Sequence, residues 1–100
     1  MSTDIPRICG IPWFKAETYF PAKELMEDAH RLPSTFESWL EKASHTEAML
    51  QANGIKTVRA YINPQEFAQW CRERGMAINA KARIDFANVI AHQTHQDGSL

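Results

Sequence analysis

Between Gly54 and Gly75 the sequence GIKTVRAYINPQEFAQWCRERG specifies a strand, a helix start and a helix stop in immediate succession. No other stretch leaves its backbone so few alternatives. Val58, Ala60 and Ile62 alternate with Thr57, Arg59 and Tyr61, the two-residue period of a strand buried on one face, so the spacing predicts a strand over 55–62. Asn63 ends it, with a side-chain oxygen able to accept from an unpaired N–H of the following helix. Pro64 has the φ of a first helical position, and Glu66 stands where a capping-box carboxylate reaches back. Ile62 and Phe67 have the spacing of a hydrophobic staple across that junction. Phe67, Trp70 and Cys71 carry the apolar stripe of a helix over 64–74, and Gly75 offers the left-handed stop.

One strand cannot satisfy its own backbone groups, so 55–62 needs a neighbour. Two are available: the chain's own extended amino-terminal arm around Arg7–Ile11, or the equivalent strand of a second chain. Gly10 and Pro12 keep residues 1–14 out of a helix, while Trp13 and Phe14 are too apolar to leave in water, so the arm should lie across the body of the protein. Three more helices are expected. Ala22, Leu25, Met26 and Ala29 follow helical spacing over 17–31, with Pro21 tolerated in the first turn. Ser34 and Glu37 form a second capping-box match opening a helix over 34–52, with Phe36, Trp39, Leu40, Ala43 and Leu50 inward and Glu37, Glu41, Lys42 and Glu47 solvated. Asn53-Gly54 ends it. Asn79 caps a last helix over 79–92, on which Ala80, Ile84, Ala87 and Ala91 form one stripe widened by Phe86, Val89 and Ile90; residues 94–100 read as a frayed tail.

The expected fold is a small, mostly helical α/β (α+β) domain, about four helices around one central strand, occupying the whole of 1–100. The chain has 100 residues, 44% of them hydrophobic, which suits one core. Its formal net charge of -1 argues against a generally basic nucleic-acid or membrane-surface binder. Residues 1–53 lean acidic and residues 54–100 lean basic, as two differently solvated faces would. No apolar run is long enough to cross a bilayer, and the start MSTDIPR lacks a secretory pattern, so a cytoplasmic protein is expected. There Cys9 and Cys71 should stay free thiols; neither has metal-ligand spacing. His92 and His95 are one helical turn apart but stand at a fraying end, so no metal and no cofactor are expected.

Enzymatic motifs are missing: no glycine-rich phosphate loop, no GxSxG, no HExxH. Glu66 and Asp85 have structural roles near helix starts. Trp39 and Trp70 belong to apolar stripes, which leaves Trp13 as the tryptophan for a partner. Strand, capped helix, glycine turn and second helix, in that order, resemble the ribbon-helix-helix DNA-binding fold, in which paired strands of two chains enter the major groove. That resemblance implies a homodimer whose outward Thr57, Arg59, Tyr61 and Asn63 meet base edges or phosphates, with Lys81 and Arg83 flanking the second helix. Against it stand the 54 residues before the strand's start and the slightly acidic charge.

The segments PWFKAETY, LPSTFESWL and YINPQEFAQWCRERGMAINAKARIDFAN resemble a group of short bacterial hypothetical proteins over most of residues 11–90. The resemblance brings no activity with it. The functional expectation is therefore a non-enzymatic interaction module with a protein partner, and the alternative is a dimeric DNA-binding regulator.

Overall fold

The computed structural model describes residues 7–98, with side chains over 7–93. Residues 1–6 of the arm and 99–100 of the tail lie outside the described residues. In chain order the elements are β1 (Ile8–Trp13), a 3-10 turn (Ala16–Thr18), α1 (Tyr19–Leu25), a second 3-10 turn (Ala29–Arg31), α2 (Phe36–Ala52), β2 (Lys56–Tyr61), α3 (Pro64–Glu73) and α4 (Ala80–Gly98). The fold is mostly helical α+β, with a two-stranded sheet.

The neighbour of the central strand is the chain's own arm. β1 and β2 run parallel, from Ile8 opposite Lys56 to Trp13 opposite Tyr61. Parallel pairing requires a long crossover, which α1 and α2 supply. Opposed residues share a face: Gly10 and Pro12 lie with Val58 and Ala60 on one side, Ile11 and Trp13 with Arg59 and Tyr61 on the other. α4 covers the first face so closely that a Cβ on Gly10 would run into the Ala87 backbone. α2 lies on the second face, where Trp13 meets Trp39 edge-on with ring centroids 5.2 Å apart. A parallel pair covered on both faces has the usual burial of parallel sheets, achieved here with only two strands among the described residues.

One hydrophobic cluster joins the layers. Phe14, Tyr19 and Phe67 are its largest fully buried aromatic side chains, each worth about 1.5–3 kcal/mol in apolar burial. Phe14 packs edge-on against both Tyr19 and Trp39, and the Tyr19 hydroxyl donates to the Pro33 carbonyl, so the buried phenol has a partner. At the other end Phe67, Trp70 and Phe86 hold α3 against α4.

The α3 junction forms as its residues dictate. Asn63 Oδ1 accepts from the Glu66 N–H at 3.0 Å, Pro64 opens the helix, Ile62 and Phe67 are both buried, and Gly75 takes φ 64. The return bond expected from the Glu66 carboxylate is not made.

Elsewhere long-range contacts moved the boundaries. The helix expected over 17–31 breaks at Met26, whose extended backbone lets the Glu27 N–H reach the Ile78 carbonyl at 2.7 Å. α2 starts at Phe36, capped by Thr35 rather than Ser34, so Glu37 stands one position too early for a capping box. α4 continues past His92 to Gly98, in place of a frayed segment from 94. Its buried stripe is Ala82, Phe86, Ala87 and Ala91, while Ala80 and Ile84 of the expected stripe face solvent.

Candidate interaction site

A two-stranded sheet has two edges, and this one treats them differently. In the observed register the N–H and C=O groups of Lys56, Val58, Ala60 and Ile62 point to β1, as the Lys56–Arg7 and Ile62–Trp13 bonds of 2.8 and 2.9 Å show. Those of Thr57, Arg59 and Tyr61 therefore point away from it. On β1 the outward groups belong to Ile8, Gly10 and Pro12. There the Gly10 N–H donates to Asn88 Oδ1 at 3.1 Å, and Pro12 has no N–H to offer. Asn88 and Pro12 blunt the β1 edge. Among the described residues no group meets the outward N–H groups of Thr57, Arg59 and Tyr61, so the β2 edge is open.

The side chains along this open edge are braced by α2. Arg59 Nε and Nη2 donate to the two carboxylate oxygens of Glu47, each at 2.8 Å, and the guanidinium lies 4.1 Å from the Trp13 ring centroid. The hydrogen bond from Arg59 holds the Glu47 carboxyl below the usual carboxylate range, with burial opposing it. Thr57 Oγ1 accepts from Gln51 Nε2 at 2.9 Å. Tyr61 is 49% exposed, and its ring has the Lys15 ammonium 5.4 Å from its centroid. Beyond Tyr61 the surface dips into a hollow of about 230 Å³ between Lys15, Thr18, Asn63 and Glu66.

Thr57, Arg59 and Tyr61 are thus brought together, and the other expected contact residues are not. Trp13 is 3% exposed and sandwiched between Trp39 and Arg59, so it is a core residue rather than a partner contact. Arg83 is 9% exposed: Nη1 and Nη2 donate to the Asp28 carboxylate at 2.9 and 3.0 Å, which removes it from any outward cationic face. Lys81 is exposed but pairs with Asp85 at 2.7 Å, on the helix covering the opposite face of the sheet from Arg59. The cations required by the ribbon-helix-helix resemblance therefore do not share a surface. Arg59 itself is neutralised by Glu47.

Sequence reasoning missed Glu47, which read as a solvated position of α2, and Asn88, which carried no signal at all. Gly10 and Pro12 did carry one, because a strand holding both belongs at a sheet edge. Cys71 is buried, and burial raises its thiol pKa; Cys9 is partly exposed. Among the described residues no three His, Cys, Asp or Glu converge as a metal site, and no helix is long and apolar enough to cross a membrane. Comparison of the chain with protein-family models, with curated proteins and with solved structures finds no match.

Proposed function

We propose that this chain is a small, non-enzymatic cytosolic interaction module that receives an extended partner segment along the open edge of β2. The observation carrying this reading is the asymmetry of the two edges: Asn88 and Pro12 close β1, while Thr57, Arg59 and Tyr61 leave three successive outward positions unpaired among the described residues. Unprotected edges invite pairing with another chain, and strand addition draws affinity from the main chain and specificity from alternate side chains. Arg59, fixed by Glu47 and Trp13, and Tyr61, held beside Lys15, provide a stiff polar border for the added strand. The DNA-binding alternative has less support, because Arg83 and Arg59 both spend their charge within the chain.

A displayed library of unstructured peptides tests the reading. Binders should be recovered at micromolar affinity or better and should lose at least about tenfold on Tyr61→Pro. That substitution removes an outward N–H that makes no bond to β1. Binders indifferent to Tyr61→Pro, or none at all, would count against it.

A further inference from the structure

We propose that the strand received along β2 is the β2 strand of a second copy of this chain, antiparallel about a two-fold axis at Arg59. The inference rests on β2 being the receiving edge, and three features of that edge select a copy of itself. The first is the match of backbone groups. Thr57, Arg59 and Tyr61 are the outward residues, so an antiparallel register centred on Arg59 sets Thr57 opposite Tyr61 of the second copy. Every open N–H and C=O of the three then finds its complement, whereas a shift by two residues brings in either Ile55, whose N–H is already bonded to the Leu50 carbonyl at 3.0 Å, or Asn63, whose carbonyl already accepts from the Phe67 N–H at 2.9 Å.

The second feature is charge. Lys56 stands exposed at the start of β2, and Glu66 stands exposed just past its end in the first turn of α3. Antiparallel pairing brings the Lys56 end of each copy to the Glu66 end of the other. Glu66 shares its hollow with Lys15, the cation beside Tyr61, which offsets part of that attraction. The two Arg59 residues would lie about 5.5 Å apart at Cα, a separation at which like charges repel. Here each guanidinium is already neutralised by its own Glu47 at 2.8 Å.

The third feature is closure. Joining two β2 strands makes a four-stranded sheet ordered β1-β2-β2-β1, whose outer edges are the ones Asn88 and Pro12 blunt. Assembly therefore stops at two copies instead of growing into a fibre, the closed outcome of an isologous contact.

Sedimentation equilibrium over a wide concentration range, with amide exchange at low and high concentration, tests the proposal. The expected result is a monomer–dimer equilibrium in which the Thr57, Arg59 and Tyr61 amides become protected as concentration rises. Lys56→Glu should weaken the dimer by about tenfold, and Lys56→Glu combined with Glu66→Lys should restore it. Both positions are exposed, so these variants decide the question even where Tyr61→Pro folds poorly. A protein monomeric at every concentration would overturn the self-pairing. So would a dimer insensitive to both Tyr61→Pro and Lys56→Glu. A monomer that still binds displayed peptides through Tyr61 would leave the edge reading standing while removing the second copy as its occupant; a monomer that binds none would remove both.

Discussion

Arg83 reaches from α4 to Asp28 through two parallel hydrogen bonds, and both side chains are largely withdrawn from water at 10% and 14% exposure. Bidentate geometry makes the pair tight, yet its energetic importance lies in what happens when one member is removed, since the other stays desolvated and unpaired. Asp28→Asn should therefore destabilise the fold by about 3 kcal/mol in denaturant titration at neutral pH. The Arg83 hydrogen bond holds the Asp28 carboxyl below its usual range, and Glu47 is lowered in the same way by Arg59. A carboxylate with a depressed folded-state pKa contributes stability that is present above its unfolded value, about 3.9 for Asp, and is lost as pH falls through the folded value. Stability should thus decline on acidification below about pH 4, and Asp28→Asn should flatten that decline. An acid limb of equal steepness in the variant would remove Asp28 from the account. The thiols make a simpler comparison: Cys9 should react with an alkylating reagent in the native protein, and Cys71 only after unfolding, because it is fully buried.

Some elements here are held by local devices and others by contacts between distant parts of the chain. α3 carries its own start and stop, so its cap behaves as an independent part. Asn63→Ala, which removes the 3.0 Å acceptor of the Glu66 N–H, should cost about 0.5–2 kcal/mol with no change of fold. The α4–β1 contact is different. Gly10 lies directly against the Ala87 and Asn88 backbone, so an added methyl must push helix from strand. Gly10→Ala should destabilise by about 1–3 kcal/mol, the usual cost of overpacking, and should also disturb the Asn88 bond that closes the β1 edge. A variant as stable as the parent, by thermal or chemical melting, would mean the helix can give way.

At the scale of the whole molecule, the sheet ties the beginning of the chain to its middle. Residues 8–13 pair with residues 56–61 across the entire α1–α2 segment, so the loop-closure cost falls early while its return comes late. A chain beginning at Phe14 would lose β1, the lid that Trp13 forms under Arg59, and the only strand partner β2 has among the described residues. Such a chain should lose cooperative unfolding and its near-ultraviolet circular dichroism while retaining some helix. Retention of a sharp transition would show that the helices hold the core without the sheet. One edge of β2 binds the arm, and on the proposed reading the other would receive a partner strand.

Much of this was legible from residues alone where the physics is local. Alternation over 55–62, the Asn63-Pro64 start, the staple and the Gly75 stop depend on neighbours within a few positions, and each formed, apart from the Glu66 return bond. The sequence also narrowed the strand's neighbour to two choices, since an unpaired strand is untenable, without selecting between them. Tertiary contacts decided that the arm pairs, that it pairs in parallel, and that the first helix breaks so that Glu27 can meet Ile78. They also turned Trp13 and Arg83 inward, against their outward reading. Helical or strand periodicity says which residues share a face; it does not say which element will cover that face. The bond from Asn88 to Gly10, spanning 78 positions, is of the same kind. No local pattern encodes it, and through it one edge of the sheet is closed while the other stays open among the described residues.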